Sequence, residues 1–238
     1  MERLILTVRT RADLEAASAT IRGMVYGNEP QRPVRVVLEN AAALPETVTW
    51  GNGLDDTPLD IELDGRGATL RRTSFHIMGS RVSVAHLRLD AGGRKTVLLT
   101  ISATESIDLA DLRLSGSSER PTNRGARVAV GAADLQASGP AVRVTATEVH
   151  VLDARGAGAV SLSNQGGSAF SSVTWTNGRF GGCLGPELSL ARVVTFAAPG
   201  TIRLGAGPFM DALPQTVVLD EGELRPPDDV LLARWRGE

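Results

Sequence analysis

Cysteine is almost missing from this chain of 238 residues. Cys183 stands alone, so no internal disulfide can form and a cysteine-based zinc site is excluded. Its flanks, Gly181-Gly182 and Leu184-Gly185-Pro186, supply no charge that would lower a thiol pKa, and it reads as an inert cysteine rather than a nucleophile. Aromatic residues make up only 4%, so Val, Leu, Ala and Gly must carry the burial, which suits a narrow, densely stacked interior. Excess charge of either sign is lacking too. A net charge of −2 gives no global positive field to drive counterion release, and no nucleic-acid partner is expected. No apolar run approaches the roughly 18 residues of a membrane span, and the one at the N-terminus is too short for a signal peptide, so a cytoplasmic protein with no membrane partner is expected.

Several chemical signatures are missing as well. His76, His86 and His150 show no H-x-x-x-H spacing, and no serine sits in a G-x-S-x-G elbow. Gly156, Gly158, Gly166 and Gly167 lack the lysine and the strand-to-helix setting of a phosphate loop and read as turn glycines. Asp55, Asp56, Asp60, Glu62 and Asp64 cluster near turns without the EF-hand spacing and read as solvated acids. No metal or cofactor is expected.

What the chain does have is a repeated phrase: apolar–x–apolar, a short gap, then apolar–x–apolar again. It runs Val82-Ser-Val84 … Leu87-Arg-Leu89, Ile107-Asp-Leu109 … Leu112-Arg-Leu114, and Val128-Ala-Val130 … Leu135-Gln-Ala137. It continues Val142-Arg-Val144 … Val149-His-Val151, Val160-Ser-Leu162 … Val173-Thr-Trp175, and Leu188-Ser-Leu190 … Val194-Thr-Phe196. Alternation of this kind marks short strands with one buried face. Recurrence at a mean of about 21 residues marks a stacked coil. A β-sandwich would need more hairpin turns than Asp64-Gly65 and Asn177-Gly178 supply.

The N-terminal segment is different. Leu4–Val8 reads as a strand, Thr10 and Asp13 as a capping pair, and Leu14, Ala17, Ile21 and Met24 as one apolar helical stripe that covers an end of the stack. Strands follow at Val34–Leu38 and Thr47–Trp50. One domain is expected, with residues 1–58 as strand, helix cap and first coils, 59–215 as the coils, and 216–238 as a last strand and capping tail.

Ile61-Glu-Leu-Asp-Gly-Arg-Gly-Ala-Thr-Leu70, Phe75-His-Ile-Met-Gly-Ser80 and Val82-Ser-Val-Ala-His-Leu-Arg-Leu89 resemble the opening coils of the pectate lyase-like right-handed β-helix superfamily. The resemblance implies an all-β fold, a single-stranded right-handed parallel β-helix (solenoid) with an N-terminal capping helix. It is specific for fold and poor for activity, since that superfamily holds lyases, hydrolases, adhesins and scaffolds. A lyase of this kind would hold calcium with carboxylates and use an arginine base. Asp108 lies on a suitable rung strand without the surrounding W-I-D-H pattern, and Arg120-Pro-Thr-Asn-Arg124 comes too early for the lyase Arg-Pro loop.

Stacking converts the middle residue of each triplet into an outward column. The second triplets give Arg88, Arg113, Gln136, His150, Thr174 and Thr195, and the first give Ser83, Asp108, Ala129, Arg143, Ser161 and Ser189. Arg88, Asp108, Arg113, Arg143 and His150 are therefore the candidate ligand-binding residues, forming a groove for an anionic or sugar ligand. In the tail, Leu231, Leu232 and Trp235 are candidates for docking a partner. The expected function is a non-enzymatic scaffold or interaction module for a protein partner. The alternative is a carbohydrate-active enzyme or glycan-binding protein using the groove around Asp108 and Arg113. A third possibility is a rod that assembles with copies of itself; the sequence does not give the oligomeric state.

Overall fold

A computed structural model describes residues 2–27, 30–39, 44–51, 59–92, 97–116, 132–153, 160–164, 167–176, 179–181, 188–190 and 196–204. It contains one helix, α1 (Arg11–Val25), and thirteen strands: β1 (Leu4–Val8), β2 (Val34–Leu38), β3 (Thr47–Trp50), β4 (Ile61–Arg71), β5 (Ser74–Asp90), β6 (Leu99–Ser115), β7 (Ala133–Ala137), β8 (Val142–Leu152), β9 (Val160–Asn164), β10 (Phe170–Thr176), β11 (Arg179–Gly181), β12 (Leu188–Leu190) and β13 (Phe196–Leu204). All the strand pairings among them are parallel.

The pairings resolve into three ladders. The first joins β1, β2, residues 61–64 of β4, 81–85 of β5, 106–110 of β6, 143–147 of β8, then β10 and β13. The second joins residues 68–71, 87–90, 112–115 and 149–152 of the same long strands to β11. The third joins β3, residues 74–78, residues 99–103, β7, β9 and β12. From β5 to β13 the chain passes third, first, second and third again in fixed order. Each pass therefore lays one new strand on each ladder.

Local chemistry explains the bend between the first two ladders. His86, Asp111 and Glu148 all have left-handed backbones, with φ of 53°, 47° and 57°. Each is the one residue left unpaired between two stacked segments, because Ala85 pairs with Ala110 and Leu87 with Leu112 while His86 and Asp111 are skipped, as Glu148 is between Thr147 and Val149. One left-handed residue turns the chain through a corner without ending the strand pairing on either side. In β4 the same corner takes three residues, Gly65-Arg66-Gly67. A side chain at Gly65 would meet the backbone oxygen of His86 at 2.5 Å.

Inward positions from all three ladders meet in one apolar cluster. Val82, Val84, Ile107 and Leu109 of the first, Leu87, Leu89, Leu112 and Leu114 of the second, and Phe75, Ile77, Leu99 and Ile101 of the third are all buried. Each such side chain contributes roughly 1.5–3 kcal/mol on leaving water. Large residues lie beside small ones: Trp175 is in register with Ala146, and Leu99 with Ala133. The Trp50 and Phe75 rings pack together with centroids 5.7 Å apart.

The expected N-terminal cap is present. Thr10 Oγ1 accepts from the Asp13 N–H at 3.2 Å and Asp13 Oδ2 accepts from the Thr10 N–H at 2.9 Å, closing a capping box. Leu14, Ala17, Ile21 and Met24 are the buried stripe, and α1 packs on β1, the end strand of its ladder, and on β3. Trp50 Nε1 donates to Ser18 Oγ at 2.9 Å and ties the helix to the third ladder. No helix among the described residues is long and apolar enough to cross a membrane. The tail, residues 216–238, lies outside the described residues.

Candidate functional site

The second ladder holds a basic column. Arg88 is in register with Arg113, Arg113 with His150, and His150 with Arg179. In-register outward positions on adjacent strands lie about 4.8 Å apart. Arg88 and Arg113 are exposed, and neither has an acidic partner among the described residues. His150 is half-buried and its Nδ1 is enclosed without a hydrogen-bond partner there. Among the described residues the one ion pair across this ladder is Arg71 with Asp90, at 3.5 Å. The column can therefore accept an extended anion lying across the strands.

The other candidate residues lie elsewhere. Asp108 sits on the first ladder, between Ser83 and Thr145, and its Oδ2 accepts from Ser106 Oγ at 3.0 Å. Arg143 is in register with Ser106 rather than Asp108, two positions before Thr145. The corner at Asp111 separates Asp108 from Arg113, so Arg88, Arg113 and His150 come together while Asp108 and Arg143 belong to another face. Gln136, Ser161 and Ser189, expected in these columns, belong to the third ladder, and Thr174 belongs to the first. The cause is a third strand per turn, which the paired-triplet phrase does not contain. Ala129, Thr195, Cys183, Leu231, Leu232 and Trp235 lie outside the described residues.

At the N-terminal end, three of the acids read as solvated, Asp60, Glu62 and Asp64, are ion-paired, while Asp55 and Asp56 lie outside the described residues. Arg35 reaches Glu62 at 3.1 Å and Asp64 at 2.7 Å, Arg3 also pairs with Glu62, and Asp60 faces Arg81 at 3.9 Å. Asp64 is the hub of this network: Oδ1 lies 3.1 Å from His86 Nδ1 and accepts from the Arg66 N–H at 3.0 Å. Arg66 continues the network to Glu39 and Arg9. Burial alone would push the Asp64 carboxyl up, but hydrogen bonds from Arg35, the Arg66 backbone and His86 hold it below the usual carboxylate range.

A constellation that the sequence reading missed lies on the third ladder, where His76, Thr100, Asp134 and Ser161 follow one another in register. Burial raises the Asp134 carboxyl, opposed by hydrogen bonds from Gln136 Nε2 at 3.0 Å and Ser163 Oγ at 3.4 Å and by the charge of His76. Burial also lowers the His76 imidazole, against the opposing pull of the Asp134 carboxylate. Among the described residues no group of three or more His, Cys, Asp or Glu is placed to hold a metal ion. The signal for this ladder was the series Phe75-His-Ile77, Leu99-Thr-Ile101, Ala133-Asp-Leu135 and Val160-Ser-Leu162, read as its own column.

The chain matches no protein-family model, no curated protein and no solved structure.

Proposed function

We propose that the chain is a right-handed parallel β-helix that serves as a non-enzymatic interaction module, docking an acidic segment of a protein partner on its second ladder. The Arg88–Arg113–His150 column carries this reading. Its arginines lack acidic partners among the described residues, as does Arg143 on the first ladder, whereas Arg3, Arg9, Arg35, Arg66 and Arg81 are paired. Stacked like charges repel, and an anionic ligand converts that repulsion into attraction. The type of cation favours a protein. Lys95 is the only lysine in the chain, and arginine is enriched at protein interfaces while lysine is depleted. Leu152, half-buried two residues after His150, adds apolar surface beside the charges. No observation favours a carbohydrate-active site built on Asp108 and Arg113, since the corner at Asp111 sends them to different ladders.

Fluorescence anisotropy with a labelled glutamate-rich peptide tests the proposal, with polygalacturonate as competitor. The expected result is peptide binding that weakens at least about tenfold in an Arg88→Glu/Arg113→Glu variant, equivalent to about 1.4 kcal/mol. Binding should also fade as ionic strength rises to about 0.15 M. Peptide binding that ignores both charge reversals would overturn the docking surface. Preferential binding of the polysaccharide would replace the protein partner with an acidic glycan.

A further inference from the structure

The basic column includes one side chain whose charge is not fixed. His150 lies in register between Arg113 on β6 and Arg179 on β11. Its ring is half-buried, and Nδ1 is enclosed without a hydrogen-bond partner among the described residues. Nε2 is not enclosed in that way, so it is the ring nitrogen that can meet a ligand. Arg113 is exposed and makes no ion pair among the described residues, which leaves its charge uncompensated beside the ring. Neither in-register neighbour is an acid. The third strand packed on β8, β10, carries no ionisable residue. Asp90, in the next outward column, is held by Arg71, and Asp111, Glu148 and Asp153 are exposed at left-handed turns of the chain.

Histidine is the side chain that changes charge between about pH 5 and pH 8. A like charge on the adjacent strand, about 4.8 Å away, favours the neutral ring, and a carboxylate favours the charged one. We propose, resting on the docking surface described above, that the column takes up a proton at His150 when it binds an acidic segment, so that docking tightens as pH falls. In the free protein the Nε2 lone pair faces cationic neighbours and stays unprotonated. A partner carboxylate lying across Arg113 and His150 reverses the local field. Nε2 then takes a proton from the solvent and donates it to the carboxylate as a charge-assisted hydrogen bond. Linkage makes the effect reciprocal: a ligand that strengthens proton binding is itself bound more tightly where protons are abundant.

Isothermal titration of the full chain with the glutamate-rich peptide counts the protons, when it is run from pH 8 to pH 6 at constant ionic strength in buffers of different ionisation enthalpy. The expected result is net uptake of at most about one proton per peptide, with affinity rising about tenfold across that range. His150→Gln should lose both the uptake and the pH slope. His150→Arg, whose charge is fixed, should bind the peptide without uptake and with a flat pH profile. His86→Gln, which changes a ring joined to Asp64 instead, should leave the uptake as it is in the parent. Peptide binding by the parent without proton uptake, or uptake that persists in His150→Arg, would overturn the role of His150 and leave the docking surface standing. No peptide binding at any pH would overturn the docking surface itself, and the proton linkage with it.

Discussion

Asp64 and Asp134 are both enclosed carboxylates at outward positions on parallel strands, yet their pKa values move in opposite directions. Each experiences burial as its largest influence, which favours the neutral acid. Around Asp64 this is outweighed by the Arg35 guanidinium, a backbone N–H from Arg66 and the His86 ring. Around Asp134 the donors are an amide and a hydroxyl, and burial prevails. Neutral hydrogen bonds soften a buried charge, but a cation is needed to reverse the cost. The Asp64 network therefore compensates its charges internally, while Asp134 on the third ladder and Arg88 and Arg113 on the second have no ion-pair partner among the described residues. Those are the places where an outside group has most to offer.

The largest expected effect comes from making Asp64 resemble Asp134. Arg35→Met removes the cation shared by Asp64 and Glu62, leaving Asp64 with the Arg66 N–H and His86 and Glu62 with Arg3. Because Arg35 is partly solvated, the loss should be about 3 kcal/mol in urea unfolding, the low end for a broken buried pair. The Asp64 carboxyl should then titrate above its present position, which carbon-detected NMR can follow. Asp64→Asn should cost about 2 kcal/mol at pH 7, as expected for hydrogen bonds to a charged group. Its folded pKa lies below the unfolded one, so the stabilisation is complete above about 3.9 and lost as pH falls through the folded value. The gap between parent and variant should therefore narrow in acid.

Asp134→Asn should act in the other direction, raising stability at pH 7 by on the order of 1 kcal/mol. Here the folded pKa lies above the unfolded one, so the ionised parent bears a cost at neutral pH. That cost, and the advantage of the variant, disappear as pH falls through the folded and then the unfolded pKa. Thermal melts at pH 7 and pH 3.5 measure both. The smallest effect belongs to the corner: His86→Gly relieves a left-handed backbone worth about 1 kcal/mol and gives up an exposed hydrogen bond to Asp64 of similar size. Unfolding free energy should change by less than about 0.5 kcal/mol.

Much of the architecture was legible because burial alternates. The triplets Val82-Ser-Val84 and Leu112-Arg-Leu114 identify strands at once, and the α1 stripe and its Thr10–Asp13 cap follow from helical spacing and side-chain chemistry. The register was harder to read, and one clue was missed. Val84 and Leu87 are separated by two residues, Ala85 and His86, and Leu109 and Leu112 by Ala110 and Asp111. Beginning the eighth strand at Val142-Arg-Val144 breaks that gap, whereas Val144-Thr-Ala146 preserves it, with Thr147 and Glu148 before Val149. That shift moves Thr145 beside Asp108 and leaves Arg143 at the strand entrance. The third ladder was hidden because its triplets stand singly, without a partner across a two-residue corner. Asp134 was therefore not among the candidate residues, and its partial burial involves residues distant in the chain, such as Ser163.

Every proposed site depends on which outward residues share a ladder, so spin-label proximity tests the account most directly. In a Cys183→Ser background, cysteines replace Arg113 and His150 in one variant and Arg113 and Gln136 in another. Adjacent in-register strands, about 4.8 Å apart, predict strong dipolar broadening for the 113/150 pair. The separate ladders predict none of comparable strength for the 113/136 pair. Broadening confined to 113/136 would contradict the three-ladder register and, with it, the basic column.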